Sequence, residues 1–202
     1  MNTGDQLHPL WPRVEVVGHP GLNLGVLSAD EVLQAWRFLS AAEDELTGRD
    51  QLNDDERQQL AIVEGLDRTL DALPEIDIEF ARGVYTTFRN SPIDHERAEI
   101  GLKMRHLTRA DHDFGLRLWR ELVRDPNFHV RGETIIPLEE EYLAALRAED
   151  YERADAVLRD LGLTADEAFG LLKDYERAQH GENICNIGQL VLWRLTSQSR
   201  TA

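Results

Sequence analysis

Ser91-Pro92-Ile93-Asp94-His95-Glu96-Arg97 and Asp125-Pro126-Asn127-Phe128-His129-Val130-Arg131 share proline, histidine and arginine in register, 34 residues apart. Each copy opens a stretch patterned as a helix. Between them the sequence predicts one complete helix pair, over 92–107 and 109–124, joined by a tight turn at Leu107-Thr108. A helical hairpin that recurs at a period of about 20–50 residues marks an α-solenoid, because one hairpin cannot bury its apolar face alone and must stack on the next.

Outward from the repeat, helical signals fill most of the chain. Toward the N-terminus, Ser28 and Glu31 have capping-box spacing and open a helix to about Leu46. Asn53 and Glu56 repeat that box. Leu60, Val63, Leu66, Leu70 and Leu73 then form one apolar stripe, which Pro74 is expected to end. A short helix follows over Ile76–Phe88, and Ser91-Pro92 reads as an N-cap with proline in the first helical position. Toward the C-terminus, helices are expected over 127–147, 150–161, 165–180 and 184–197. Residues 1–27 carry Pro9, Pro12, Gly18, Pro20, Gly21 and Gly25, and read as an irregular arm with a short strand at Val14–Val17. The expectation is an all-α fold. The arm spans 1–27 and a single helical domain spans 28–202, divided into a helical cap over 28–89 and repeats over 90–202.

The run from Leu118 to Arg131 resembles the inter-helix turn of HEAT repeats, in which an aspartate ends one helix, a proline turn follows, and Val-Arg sits six residues later. Asp125, Pro126, Val130 and Arg131 match that spacing. The earlier copy keeps Pro92 and Arg97 but carries Ser91 for the aspartate and Glu96 for the valine. The resemblance covers 90–147, and it implies a HEAT-like stack of antiparallel helical hairpins presenting a curved face to a protein or nucleic-acid partner. It also implies that the turn aspartate caps the next helix and pairs with an arginine of the stack. Tetratricopeptide repeats share the period, but their Trp-Leu-Gly-Tyr pattern is absent.

Charge adds independent information. The chain has 202 residues, with 22 Lys+Arg against 38 Asp+Glu, a net charge of −16. Within 43–79 stand thirteen acids and only Arg49, Arg57 and Arg68 as bases, so this cap carries most of the excess. Such a charge disfavours passive binding to nucleic acid, and it fits a face that docks a basic protein, with Asp54, Asp55, Glu64, Asp67 and Asp71 as its contacts. The segment 103–131 is locally positive. Arg117, Arg120 and Arg124 lie at i, i+3 and i+7 on one helix face, a stripe able to meet phosphates. Asp113, Glu121 and Asp125 are placed to neutralise it as local pairs.

Catalytic signals are sparse. His112-Asp113-Phe114-Gly115 resembles the His-Asp-x-Gly element of HD-type metal phosphohydrolases, and His95 with Asp155 or Asp160 could complete a metal set there. His95 and His129, however, are matched by the repeat itself. Gly18, Gly21 and Gly25 form no phosphate loop, and no cofactor motif occurs. Cys185, the sole cysteine, reads as a packed core thiol beside Leu190, Val191 and Trp193, and fits a reducing cytoplasm. Trp36 and Trp119 read as core, Trp11 as an anchor for the arm, and Glu139-Glu140-Glu141 as an exposed helical turn. No run has the ~20 apolar residues of a membrane helix, and no targeting segment is evident. The Ala-, Leu-, Arg- and Asp-rich, Lys-poor usage points to a bacterial source. The sequence is thus read as a non-catalytic adaptor, scaffold or immunity-type inhibitor that presents the acidic 43–79 face, or the concave side of the 92–161 repeats, to a protein partner. A HEAT-like nucleic-acid-binding or repair protein is the first alternative, and a metal phosphohydrolase using His95, His112 and Asp113 the second.

Overall fold

A computed structural model describes residues 15–16, 19–23, 27–47 and 53–180. Cys185, Trp193, Trp11 and the helix expected over 184–197 lie outside the described residues. Apart from one antiparallel pair of short strands, β1 (Glu15–Val16) and β2 (His19–Asn23), the regular structure is helical. The short strand expected at Val14–Val17 falls at β1, and β2 pairs with it. No helix among the described residues is long and apolar enough to cross a membrane. The chain divides into two compact units, Met1–Phe88 and Arg89–Ala202.

The first unit is built on α1 (Ala29–Thr47), α2 (Asp54–Ile76) and α3, which begins at Ile78. Both capping boxes form. Glu31 accepts from the Ser28 amide at 2.7 Å, and Asn53 and Glu56 exchange bonds of 2.8 and 2.9 Å. Val63, Leu66, Leu70 and Leu73 are buried at steps of three and four, as are Trp36 on α1 and Tyr85 and Phe88 on α3. The Trp36 and Phe88 rings meet edge-on, 5.6 Å apart. Pro74 does not end α2, which runs two residues further. Proline at 74 has no N–H for the Leu70 carbonyl, and the Tyr85 hydroxyl supplies the missing donor at 3.2 Å. A buried tyrosine on the neighbouring helix thus lets the proline stay inside the run.

In the second unit, helices follow at α4 (Asp94–Leu102), α5 (Met104–Ala110), α6 (His112–Leu122) and α7 (Phe128–Ile136). A π-helical turn over Pro137–Leu143 runs into α8 (Ala144–Arg147), and α9 (Tyr151–Leu161) and α10 (Ala165–His180) complete the series. The single helix expected over 92–107 is broken at Lys103, and Leu107-Thr108 lies inside α5 instead of forming a turn. The turn falls at Asp111, whose side chain accepts from the Phe114 amide. Gly115 of α6 approaches the backbone of Thr108 so closely that a Cβ would stand 2.6 Å from its Cα, which fixes α5 against α6. The helix expected over 127–147 does run unbroken, but Pro137 cannot donate to the Glu133 carbonyl, and the chain widens by a π turn there. Gly162 ends α9 at φ +67°, where a side chain would also press on the Arg109 backbone at 3.3 Å.

Candidate functional site

The two sequence copies become two neighbouring helices. Asn127 donates to Asp94 at 2.5 Å, and Gly101 lies against Thr134 with space for no Cβ between them. Both partners advance by seven residues, from 94 to 101 and from 127 to 134, so α4 and α7 run side by side in the same direction. The first residues of the two helices, Asp94 and Phe128, stand at the same 34-residue offset as the two sequence copies.

The turn residues tie this pair together. Arg97 grips Asp125 with two bonds, Nε to Oδ2 at 2.8 Å and Nη2 to Oδ1 at 3.1 Å, and its Nη1 donates to the Ser91 carbonyl at 2.9 Å. Hydrogen bonding and the Asp125 charge raise the Arg97 pKa further above its ordinary value, against the cost of burial. Asp125 also accepts from the Asn127 amide at 2.8 Å. In the second copy Arg131 donates through Nη1 to the Asp125 carbonyl at 2.7 Å and the Pro126 carbonyl at 3.0 Å, the same reach of six residues back that Arg97 makes to Ser91. Two expectations change here. Asp125 does not cap α7, because its carboxylate is taken by Arg97; Asn127 caps it, accepting from the His129 amide. Ser91 does not cap α4 either, and Pro92 stands outside the helix, which starts at Asp94. Ser91 instead accepts from the Ile93 amide and donates to the buried carboxylate of Glu96. No residue spacing announces that arrangement, since it depends on Glu96 turning inward.

The acids of α2 divide into two groups. Asp54 and Asp55 are exposed in its first turn, with Asp54 paired to Arg57 at 3.2 Å. Glu64, Asp67 and Asp71 share one face, but Asp67 is turned toward α1, where it accepts from the Trp36 indole at 3.2 Å. Glu64 is exposed and pairs with Arg68. The face is therefore acidic, though less continuous than the sequence suggests.

The arginine stripe is not neutralised by the expected neighbours. Arg124 pairs with Asp174 of α10 at 2.7 Å, Arg117 stacks 5.0 Å from the Phe114 ring centre, and Arg120 is exposed. Glu121 is taken by Arg89 and Asp125 by Arg97, so the local pairs lose to partners from other elements. Arg105 and Arg109 meet Asp160, and Arg105 also meets Glu141. Glu139, expected in an exposed turn, is half-buried; burial and then the nearby Glu176 charge raise its pKa. Trp36 and Trp119 are buried as expected, and the Trp119 indole donates to the Thr134 carbonyl at 3.0 Å.

His112, the first residue of α6, holds Glu167 at 2.7 Å. Glu167 also closes a capping box with Thr164 at the start of α10, accepting from its amide at 2.8 Å and its hydroxyl at 2.7 Å. The Glu167 hydrogen bond raises the His112 pKa, while burial of Glu167 is outweighed by its bonds from Thr164 and His112, leaving that acid below its ordinary value. His95 lies exposed in the first turn of α4, and Asp113 in that of α6. Among the described residues no group of three or more His, Cys, Asp or Glu is disposed to hold a metal ion.

Compared with protein-family models, with curated proteins and with solved structures, the chain matches none.

Proposed function

We propose that this chain is a non-catalytic protein-binding module: a HEAT-like helical stack of the cytoplasm that presents the acidic surface of α2 to a basic protein partner. The observation that carries the reading is the contrast between its two charged surfaces. Within α2 the seven acids Asp54, Asp55, Glu56, Glu64, Asp67, Asp71 and Glu75 face only two arginines, and Asp54 is 99% exposed even while paired to Arg57. In the second unit the cations Arg97, Arg105, Arg109 and Arg124 are engaged by the chain's own carboxylates. A phosphate backbone would have to displace those pairs, whereas a basic protein meets a helix on which seven acids stand against two arginines. That weighs against the nucleic-acid alternative.

Affinity capture from native lysate, followed by association kinetics with the captured protein, tests this reading. Asp67 is spared because it holds Trp36; Asp54→Asn, Asp55→Asn, Glu64→Gln and Glu75→Gln are combined. The association rate is expected to fall by about tenfold or more at low salt, with a weaker effect at higher salt. Capture at unchanged rate and affinity overturns the acidic-face reading.

A further inference from the structure

The two turn arginines repeat one design, and only one of them is filled. Arg97 and Arg131 each send Nη1 back six residues to a carbonyl, at 2.9 and 2.7 Å, which turns the remaining edge of each guanidinium, Nε with Nη2, toward the next element. On Arg97 that edge carries both oxygens of Asp125. On Arg131 the Nη2 corner meets the amide oxygen of Gln179 at 2.5 Å, and Nε meets nothing. Among the described residues it is the one buried side-chain nitrogen or oxygen without a hydrogen-bond partner, on a residue only 8% exposed. A buried cationic N–H left open is costly, and an amide oxygen can fill one corner of the fork but supplies no charge.

We infer that the Nε/Nη2 edge of Arg131 is a receptor for the aspartate of an acidic inter-helix turn on a partner protein, a turn of the Asp-Pro-Asn kind that Arg97 already holds within the chain. The inference rests on the protein-binding reading above, but on a different unit and different residues. The internal template fixes the ligand chemistry. In the filled copy the carboxylate is prearranged by the Asn127 amide and approaches the fork bidentately. Gln179, in the last turn of α10, stands where such a carboxylate belongs, and is steadied from behind by its own Nε2 donating to the Tyr175 hydroxyl at 3.2 Å. Asp174 of α10 does not fill the fork, since it holds Arg124. Binding therefore exchanges a neutral amide for a carboxylate at an oriented fork, with Gln179 as the group displaced.

The probe is a synthetic peptide with the sequence of residues 121–129, and its Asp125→Asn form, titrated into the full-length protein, its Gln179→Ala variant and its Arg131→Lys variant. The Asp peptide is expected to bind the Gln179→Ala protein about tenfold more tightly than wild type, and at least about tenfold more tightly than the Asn peptide does. Arg131→Lys, which keeps the charge but loses the fork, is expected to abolish that preference. Should that variant not fold, the paired peptides on Gln179→Ala protein decide alone. Equal binding of the two peptides, or no binding to the Gln179→Ala protein, overturns the inference, as does inorganic phosphate competing as well as the Asp peptide. Failure here with capture through α2 intact removes this receptor alone. Loss of capture in the α2 variant with peptide preference intact removes only the acidic-face reading.

Discussion

Cutting the Arg97–Asp125 pair should loosen the second unit more than any other polar substitution in it. Arg97 contributes two bonds to the carboxylate and one to the Ser91 carbonyl, and the two side chains are only 14% and 10% exposed. Arg97→Ala leaves a buried carboxylate whose remaining bond is the Asn127 amide. Removing one partner of a buried pair costs about 3–5 kcal/mol, and the surviving amide bond places this case near about 3 kcal/mol. Asp125→Ala strands the guanidinium and also frees the Asn127 amide, so it should cost as much or more. In the double variant no charge is stranded, and much of the loss should be recovered, giving a coupling of about 1.5–3 kcal/mol. Urea unfolding of the four proteins measures the cycle, and amide exchange across α4 and α7 assigns the change to that helix pair. A coupling below about 0.5 kcal/mol would refute the argument, because the two side chains would then be acting as independent surface groups.

Three other outcomes follow from packing and titration. Gly115→Ala drives a methyl to within 2.6 Å of the Thr108 Cα and should destabilise by about 1–3 kcal/mol or more, whereas Gly132→Ala points into open space within α7 and should stabilise by about 0.5–1 kcal/mol; thermal unfolding of both variants checks the contrast. Tyr85→Phe leaves the Leu70 carbonyl without its donor and should cost about 1–3 kcal/mol in wild type but less in a Pro74→Ala background, where the helix regains its own N–H, as denaturant titration of the double variant would show. The His112–Glu167 clasp should stabilise most at mildly acidic pH. The raised His112 pKa gives stability that is present below its ordinary 6.5 and lost as pH climbs through the raised value, and the lowered Glu167 pKa gives stability that is present above 4.5 and lost as pH falls through its lowered value. The clasp is partly exposed, so the effect should stay under about 1 kcal/mol, and His112→Gln should flatten the upper limb of the stability–pH curve.

Short-range patterns encode a definite part of this fold. The capping boxes at Ser28 and Asn53, the leucine stripe of α2 and the helical class all depend on residues within a turn or two of one another, and each formed. The Pro-His-Arg correspondence located two equivalent helices 34 residues apart. It did not reveal that α4 and α7 lie against each other, which follows from Gly101 and Thr134, two small residues with no local signature. Pro74 was read as a stop because the rule about prolines considers only the helix that contains them; the Tyr85 hydroxyl that offsets the loss arrives from α3. The Lys103 break, the cap at Asn127 and the π turn after Ile136 were illegible as well. At the α7 cap the reason is competition: the carboxylate that spacing assigns to that helix, Asp125, is held by Arg97, and Asn127 takes its place.

That competition for Asp125 also explains why the arginine stripe is not neutralised by its own helix. Local i, i+4 pairs are worth a few tenths of a kcal/mol, while a bidentate, largely buried pair is far stronger. Given the choice, Asp125 goes to Arg97, Glu121 to Arg89, and Arg124 finds Asp174 on α10. The carboxylates are thus spent in holding helices together, and each one so used is withdrawn from the turn where sequence spacing had assigned it. At Arg131 the fork meets no acid: Asp125 is held by Arg97, and α10 offers the amide of Gln179. The same pairing that joins the helices of the second unit therefore leaves one cationic fork half filled, while the excess of acids over arginines lies on α2, in the other unit.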